Sequence, residues 1–233
     1  MDDAENEKWI EYLLELLKGI NVLPPSRILE TACGTGRITL QLARHGYDII
    51  ALDIADEMLD EAQQKMRMAG VTAHFVSGDM IHFAVSKPVD AIICACDGIN
   101  YLERETDAIK YFKTCWKNLK IGGVLMFDIS SYNKLTKIIG NNLFYDDRED
   151  VTCLWQNKFS GDLLHMELTL FIRENNLYRR MDEKHIQRAY KINTIEKMLQ
   201  DAKFGQIKSF NFFTKDEAAE ENERIQFIAV RER

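Results

Sequence analysis

Hydrophobic positions follow two different periods along the chain. Ile10, Leu13, Leu14 and Leu17 recur at helical spacing, which predicts a helix over 7–18 that stops at Gly19. From Arg27 onward, strand-like runs at 28–31, 47–53, 73–77, 90–96 and 124–129 alternate with helical or loop stretches. Met58, Leu59, Ala62 and Met66 share one face of a helix over 54–69. Ala108, Phe112, Cys115, Trp116 and Leu119 do the same over 106–119, where Gly122-Gly123 is expected to close the helix. Asp90–Cys96 and Val124–Phe127 are almost continuously apolar, as strands covered on both sides must be. This alternation predicts an α/β domain with a mostly parallel sheet between helical layers.

The period changes near residue 140. Val151, Cys153 and Trp155 alternate with Thr152, Leu154 and Gln156, and Leu164, Met166, Leu168, Leu170 and Ile172 share a face. Ser160-Gly161-Asp162 and Asn175-Asn176 are turn signals between such runs. The pattern predicts a three-stranded antiparallel meander over 151–190. A helix over 193–202 and strands over 206–213 and 225–231 follow. The expected organisation is an α/β domain of residues 1–142 and 191–233, with residues 143–190 inserted as an antiparallel β subdomain that caps the site.

Composition narrows the class. At 233 residues, a single large domain with an insertion can bury its core without disulfide or metal support. The net charge of −7 argues against a protein built to hold phosphate backbones. The acidic start Met1-Asp2-Asp3-Ala4-Glu5 is unlike a secretory peptide, and no apolar run approaches the ~20 residues that span a bilayer. Cys33, Cys94, Cys96, Cys115 and Cys153 are odd in number and lack C-x-x-C spacing, so neither a disulfide framework nor a metal cage is expected. Reduced thiols in the cytoplasm are the plain reading.

Chemistry concentrates at Ile28–Thr39. A strand ends in Glu30, a loop of small residues follows, and a helix opens near Arg37. Gly34 and Gly36 let a ligand touch the backbone, and the helix start offers free N–H groups. The next strand ends in Asp53, an acid placed to accept both ribose hydroxyls. A dinucleotide does not fit, because Thr39 stands where the third glycine of G-x-G-x-x-G belongs, and Glu30 would repel a pyrophosphate. An acid there suits an ammonium or sulfonium centre, as in S-adenosyl-L-methionine.

With those residues the chain resembles class I S-adenosylmethionine-dependent methyltransferases over nearly its whole length. Glu30–Gly36 is similar to the family's acid-x-G-x-G-x-G motif, with Ala32 for the first glycine. Asp53 resembles the ribose acid, and Gly78-Asp79-Met80 the adenine site. Cys96-Asp97-Gly98-Ile99-Asn100-Tyr101 resembles the loop beside the reacting methyl, and Leu119–Phe127 the turn into strand five. The resemblance implies a Rossmann-like sheet with an antiparallel last strand. It also implies cofactor contacts from Trp9, Glu30, Ala32, Cys33, Gly34, Gly36, Asp53, Ile54, Met58, Gly78, Asp79, Met80, Cys96 and Asp97. Cys96–Leu102 and Glu183–Tyr190 carry a finer resemblance to small bacterial enzymes with an insertion after strand five, relatives of sugar N-methyltransferases. Ala55 departs from the serine often found there as a helix cap, and such a loss costs about 1 kcal/mol.

The expected reaction is in-line methyl transfer to a small-molecule N or O nucleophile. His185, Tyr190 and Asn100 are the catalytic candidates, His185 and Tyr190 as general bases for an amine. On one uninterrupted strand, residues five apart point to opposite faces, so only one of that pair could face the site. Other readings remain open: an RNA or protein methyltransferase docking its polymer on Arg173, Arg179, Arg180, Lys184, Arg188 and Lys191, or a non-catalytic binder of the cofactor. The post-strand-four loop lacks the [DNS]-P-P-[YFW] motif of enzymes acting on adenine or glutamine, so nucleic acid is the less expected partner. A monomer or homodimer without a membrane partner or metal completes the expectation. Cys94, Cys96 and Trp116 read as core, and Trp9 as helix packing or as part of the cofactor's cover.

Overall fold

The computed structural model describes residues 3–233; Met1 and Asp2, part of the acidic start, lie outside the described residues. The first half alternates α1 (Asp3–Gly19), β1 (Arg27–Thr31), α2 (Arg37–Arg44), β2 (Asp48–Asp53), α3 (Asp56–Ala69), β3 (His74–Ser77), β4 (Val89–Cys94), α4 (Glu105–Asn118) and β5 (Leu119–Ser130). There follow β6 (Leu143–Asp147), β7 (Val151–Ser160), β8 (Leu163–Glu174), β9 (Leu177–Arg188), α5 (Ile192–Asp201), β10 (Phe204–Asn211) and β11 (Arg224–Arg231). The main sheet runs β10-β11-β5-β4-β1-β2-β3. Its strands are parallel except that β11 pairs antiparallel with both β5 and β10. Strand order reverses between β1 and β4, and ligands of open α/β sheets bind in the crevice beyond the carboxyl ends at such a point.

The apolar runs are explained by two cores. Ile28 faces one side of β1, where Leu13, Leu17, Leu42 and Ile49 pack. Leu29 faces the other, with Ile92, Tyr111, Phe112, Phe127 and Phe227. Both faces of each central strand are thus spent on packing, at about 1.5–3 kcal/mol for each large side chain fully withdrawn from water. A third, smaller core joins Leu164, Met166 and Ala189 to Leu135 and Ile139, on the segment that follows β5.

Three expectations need correction. The inserted sheet has four strands, in the order β6-β7-β8-β9. The extra strand, β6, lies at an edge with every residue exposed, so no buried face marks it in the sequence. Nor do Gly122-Gly123 close α4, which ends at Asn118. They lie within β5, where pairing jumps from Val89↔Leu119 to Ala91↔Val124. A Cβ on Gly123 would sit 2.8 Å from the Lys120 carbonyl oxygen, so that irregular turn needs glycine there. Nor are Trp116 and Cys96 core: Trp116 is only partly buried, with the Arg231 guanidinium over its ring at 4.2 Å, and Cys96 is exposed because β4 ends at Cys94 and the chain turns before it. Among the described residues, no helix is long and apolar enough to cross a membrane.

Candidate active site

The carboxyl ends of β1 and β2 form one wall. The loop after β1 turns through left-handed conformations at Ala32, Gly34 and Gly36, with φ of 53°, 52° and 71°. A Cβ on Gly36 would come within 2.7 Å of the Ala62 Cβ on α3, whereas one on Gly34 would meet nothing within 4 Å. Gly36 thus lets two helices approach, and Gly34 leaves open space where a ligand can reach backbone. Asp53 fastens this loop: Oδ2 accepts the Gly34 N–H at 2.7 Å and Oδ1 the Ala55 N–H at 3.0 Å. A carboxylate has about four lone-pair positions, so two remain for hydroxyls. Ala55 indeed gives α3 no side-chain cap.

Glu30 is buried, and the Thr39 hydroxyl donates to its Oε2. Burial pushes its carboxyl up to about 8; Asp53 adds to the rise and the Thr39 hydrogen bond opposes it. A cation arriving at the loop would favour the charged form. Beyond β2, Ile54 is 74% exposed and Met58 45% exposed, two apolar side chains left uncovered beside Asp53. The Gly78 N–H binds the Asp53 carbonyl at 2.9 Å, and Asp79 Oδ1 accepts the Ile81 N–H at 2.8 Å. Met80 is half-buried on the main core, and Cys33 lies in the core under α1.

The second wall follows β4. Cys96 and Asp97 are both left-handed, with φ of 60° and 51°, a strained conformation for side-chain-bearing residues. The buried Asp128 carboxylate on β5 holds them: Oδ1 accepts the Cys96 N–H at 2.8 Å and Oδ2 the Asp97 N–H at 3.0 Å. Arg224 on β11 pairs with Asp128 and, at 2.9 Å, with Asp97 Oδ1. Its guanidinium lies 4.9 Å from the Trp9 ring centroid. Trp9 is buried among Phe212 and Phe213, and its Nε1 has no hydrogen-bond partner. Gly98 brings this turn against the end of β4 and the loop after β1, since a Cβ there would lie 2.7 Å from Cys94 Sγ and 3.3 Å from the Ala32 Cβ.

The three catalytic candidates part company here. The amide of buried Asn100 donates to the Ser130 carbonyl (3.0 Å) and the Arg188 carbonyl (2.9 Å), and its oxygen accepts the Ser130 N–H (3.0 Å). With its polar atoms committed to backbone, Asn100 clamps the loop and the inserted sheet instead of meeting an acceptor. Tyr190 is buried in the main core and donates to the Leu102 carbonyl, while burial pushes its hydroxyl well above the ordinary value. It is a packing residue rather than a base. His185 is different. It stands on β9 with its ring 6.0 Å from the half-exposed Tyr101 ring, and Nε2 lies 3.3 Å from Glu183 Oε2. Gln187, on the same face of β9, donates to Asp97 Oδ2 at 2.7 Å. Burial, then Asp97 and Glu183 nearby, raise the Tyr101 hydroxyl above its usual range, although its hydrogen bond with Gln187 opposes the rise.

The basic residues are mostly answered by carboxylates. Arg179 pairs with Glu174, Arg180 with Asp182, Lys184 with Glu167, and Arg188 with both Glu105 and Asp162; Lys191 lies over the Tyr132 ring. Thr39, Asp128, Arg224 and Gln187 were not singled out as site residues from sequence. A charge set into an apolar strand, as in Phe127-Asp128-Ile129, is the signal that marks the second of them.

The two walls together suit S-adenosylmethionine in the open space over Gly34, the spare lone pairs on Asp53, the uncovered Ile54 and Met58, and the orphaned Trp9 indole. Residues 28–123 match the methyltransferase-domain family. YqeM of Bacillus subtilis (strain 168), a methyltransferase by name, is 32% identical over 232 residues, 98% of this chain and 92% of that one. The crystal structure of an S-adenosylmethionine-dependent methyltransferase from Clostridium acetobutylicum ATCC 824 matches at TM-score 0.93 and 34% identity. It covers 99% of this chain and 94% of that one. CalS10 from Micromonospora echinaspora, an amino pentose methyltransferase solved with its cofactor bound, shares the fold at TM-score 0.76 and 19% identity, over 96% and 91% of the two chains. The chain belongs to the methyltransferase-domain family and is an S-adenosylmethionine-dependent methyltransferase with a Rossmann-like fold.

Proposed function

We propose that the chain methylates a nitrogen of a small molecule. Residues 1–142 and 191–233 hold the donor, and residues 143–190 receive the acceptor. The observation that carries this is the Glu183–His185–Tyr101 group, presented by the inserted sheet to the loop after β4. When bound, S-adenosylmethionine supplies a methyl group activated by its sulfonium centre.

The protein's part is placement and proton handling. Glu30, Gly34, Asp53, Asp79 and Trp9 fix the donor; aligning reactants is worth up to ~7–11 kcal/mol in well-oriented systems. Held by these residues, the donor would supply its methyl group to an amine placed opposite the sulfur, a C–N bond forming as the C–S bond breaks and sulfur keeps the electron pair. An ammonium acceptor must first lose a proton. Glu183 holds a proton on His185 Nε2, which leaves Nδ1 free to accept it. Glu183 and Asp97 also draw a cationic acceptor inward. Beyond them the same face of the inserted sheet continues as Trp155, Leu168, Leu170 and Met181, all half-buried, which suits an amine on an apolar body. CalS10, an amino pentose methyltransferase, shows that this fold serves a small acceptor that carries an amine. Five free cysteines accord with a reducing, cytoplasmic setting.

The test uses acceptor pairs that differ only in carrying an amine or a hydroxyl, followed through S-adenosylhomocysteine formation. Turnover restricted to the amines, lost in His185→Ala, is expected. Turnover of the hydroxyl partners, or of a structured RNA in place of both, overturns the reading.

A further inference from the structure

Arg224 lies far along the chain from every motif, yet its guanidinium is the hub of the site. It is mostly buried between two carboxylates, Asp128 and Asp97, and rests on the Trp9 and Phe212 rings at 4.9 and 5.8 Å. Asp128 spends both oxygens on the backbone N–H groups of Cys96 and Asp97 as well. Two carboxylates this close repel one another, and without a cation between them one would protonate and release its partners. Arg is suited to the task because its planar fork offers separate donors to each acid; Lys presents a single point charge.

The chain of contacts does not end there. Asp97 Oδ2 accepts Gln187 Nε2 at 2.7 Å, and Gln187 is buried on β9 two residues from His185, on the same face. One line of ion pairs and hydrogen bonds therefore runs from β11 through β5 and the loop after β4 to β9. Asn100 adds a parallel link from the same loop to the Arg188 carbonyl. Cys96 and Asp97 keep a costly left-handed backbone only while this network holds them.

We infer that Arg224 is a positioning residue that locks the loop after β4 to β9, so that cofactor binding orders His185 through Asp97 and Gln187. The inference rests on the donor and acceptor assignment above. Coupling of this kind is reciprocal: what orders β9 must also tighten the cofactor.

Hydrogen–deuterium exchange, with and without S-adenosylhomocysteine and well below the unfolding midpoint, reads it by region. In the wild type the ligand should slow exchange at residues 94–102 and also at 183–190. In Gln187→Leu the first protection should remain and the second vanish, with affinity lowered by about fivefold or less, the low end of measured couplings. Arg224→Met should loosen both segments together, even without ligand, and weaken S-adenosylhomocysteine binding by about tenfold or more; Arg224→Lys should recover part of each. Uniform loosening of the whole sheet in Arg224→Met would mean a structural role alone and overturn the inference. Protection of 183–190 that survives Gln187→Leu overturns it as well. If the wild type bound no S-adenosylhomocysteine, the donor assignment would fail, while the ligand-free comparison of Arg224→Met would still decide whether the two segments are linked.

Discussion

The proposed donor edge and the proposed acceptor face solve placement in opposite ways. At the donor edge, the working groups are backbone and a few short acids. Gly34 leaves space, Gly36 admits α3, and Asp53 fastens the loop through the Gly34 N–H at 2.7 Å. These residues fall within one short stretch, and their types are dictated by local geometry. On the side proposed for the acceptor, the groups brought together are long side chains from distant segments: His185 and Gln187 from β9 and Tyr101 from the loop after β4, with Arg224 of β11 behind them. The donor is one fixed molecule, which a rigid backbone cradle can serve. The acceptor side can be remade by exchanging side chains on an added sheet without disturbing the cradle.

The most severe way to break this division is to remove one side. Replacing residues 143–188 by a short Gly/Ser linker, which keeps Tyr190 in the main core, should abolish methyl transfer and leave S-adenosylhomocysteine binding, measured by calorimetry, weaker by about fivefold or less. The main cores do not draw on the inserted strands, so the remaining sheet should still fold. Loss of ligand binding in a folded deletion would show that the donor site is shared. His185→Ala is the next sharpest cut. It should lower kcat by about 100-fold, the low end for a lost general base, with S-adenosylhomocysteine affinity nearly unchanged. An equal fall in affinity and turnover would move His185 to the donor side.

The same contrast explains what could be read from the chain. The alternating apolar runs announce the sheet because both faces of β1, β4 and β5 are buried. The place of Asp53 beside the glycine loop was legible because it ends the next parallel strand, where its carboxylate accepts the Gly34 N–H. Asn100 and Tyr190 misled: each lies in a stretch with the right neighbours, but which way a side chain turns depends on packing that sequence spacing does not reveal. Tyr190 lies beyond the end of β9 and drops into the main core. Arg224 was silent because its partners Asp97 and Asp128 meet it only through the antiparallel pairing of β11 with β5. Thr39 served only to exclude a dinucleotide, whereas its hydroxyl binds Glu30.

On the donor side, Asp53→Ala should weaken S-adenosylhomocysteine binding by about tenfold or more. It removes an acceptor for two hydroxyls and the anchor of the Gly34 N–H, and hydrogen bonds to charged groups contribute about 1.5–3 kcal/mol. The acceptor face should not register the change, so His185-dependent turnover at saturating cofactor should stay near its original value. If kcat falls as far as affinity, the two sides are less separable than their construction suggests.

The smallest effect concerns Glu30 and is read from stability alone. Its carboxyl is raised to about 8 in the folded chain, chiefly by burial, from an ordinary value of 4.5. Between those values the folded state holds a proton that the unfolded state has released. The neutral form's contribution is therefore fully present below about pH 4.5 and is lost as pH rises toward 8. Glu30→Gln keeps the shape, and its amide oxygen can still accept from Thr39, but it cannot titrate. Wild type should thus lose stability relative to Glu30→Gln between pH 5 and 8, at no more than about 1.4 kcal/mol per pH unit for one proton. Denaturant midpoints of the two proteins over that range measure it. Bound S-adenosylmethionine should flatten the slope, because its positive charge stabilises the ionised carboxylate that burial disfavours. A slope that is absent, or unchanged by the cofactor, would place the cation away from Glu30 and take that acid out of the donor edge.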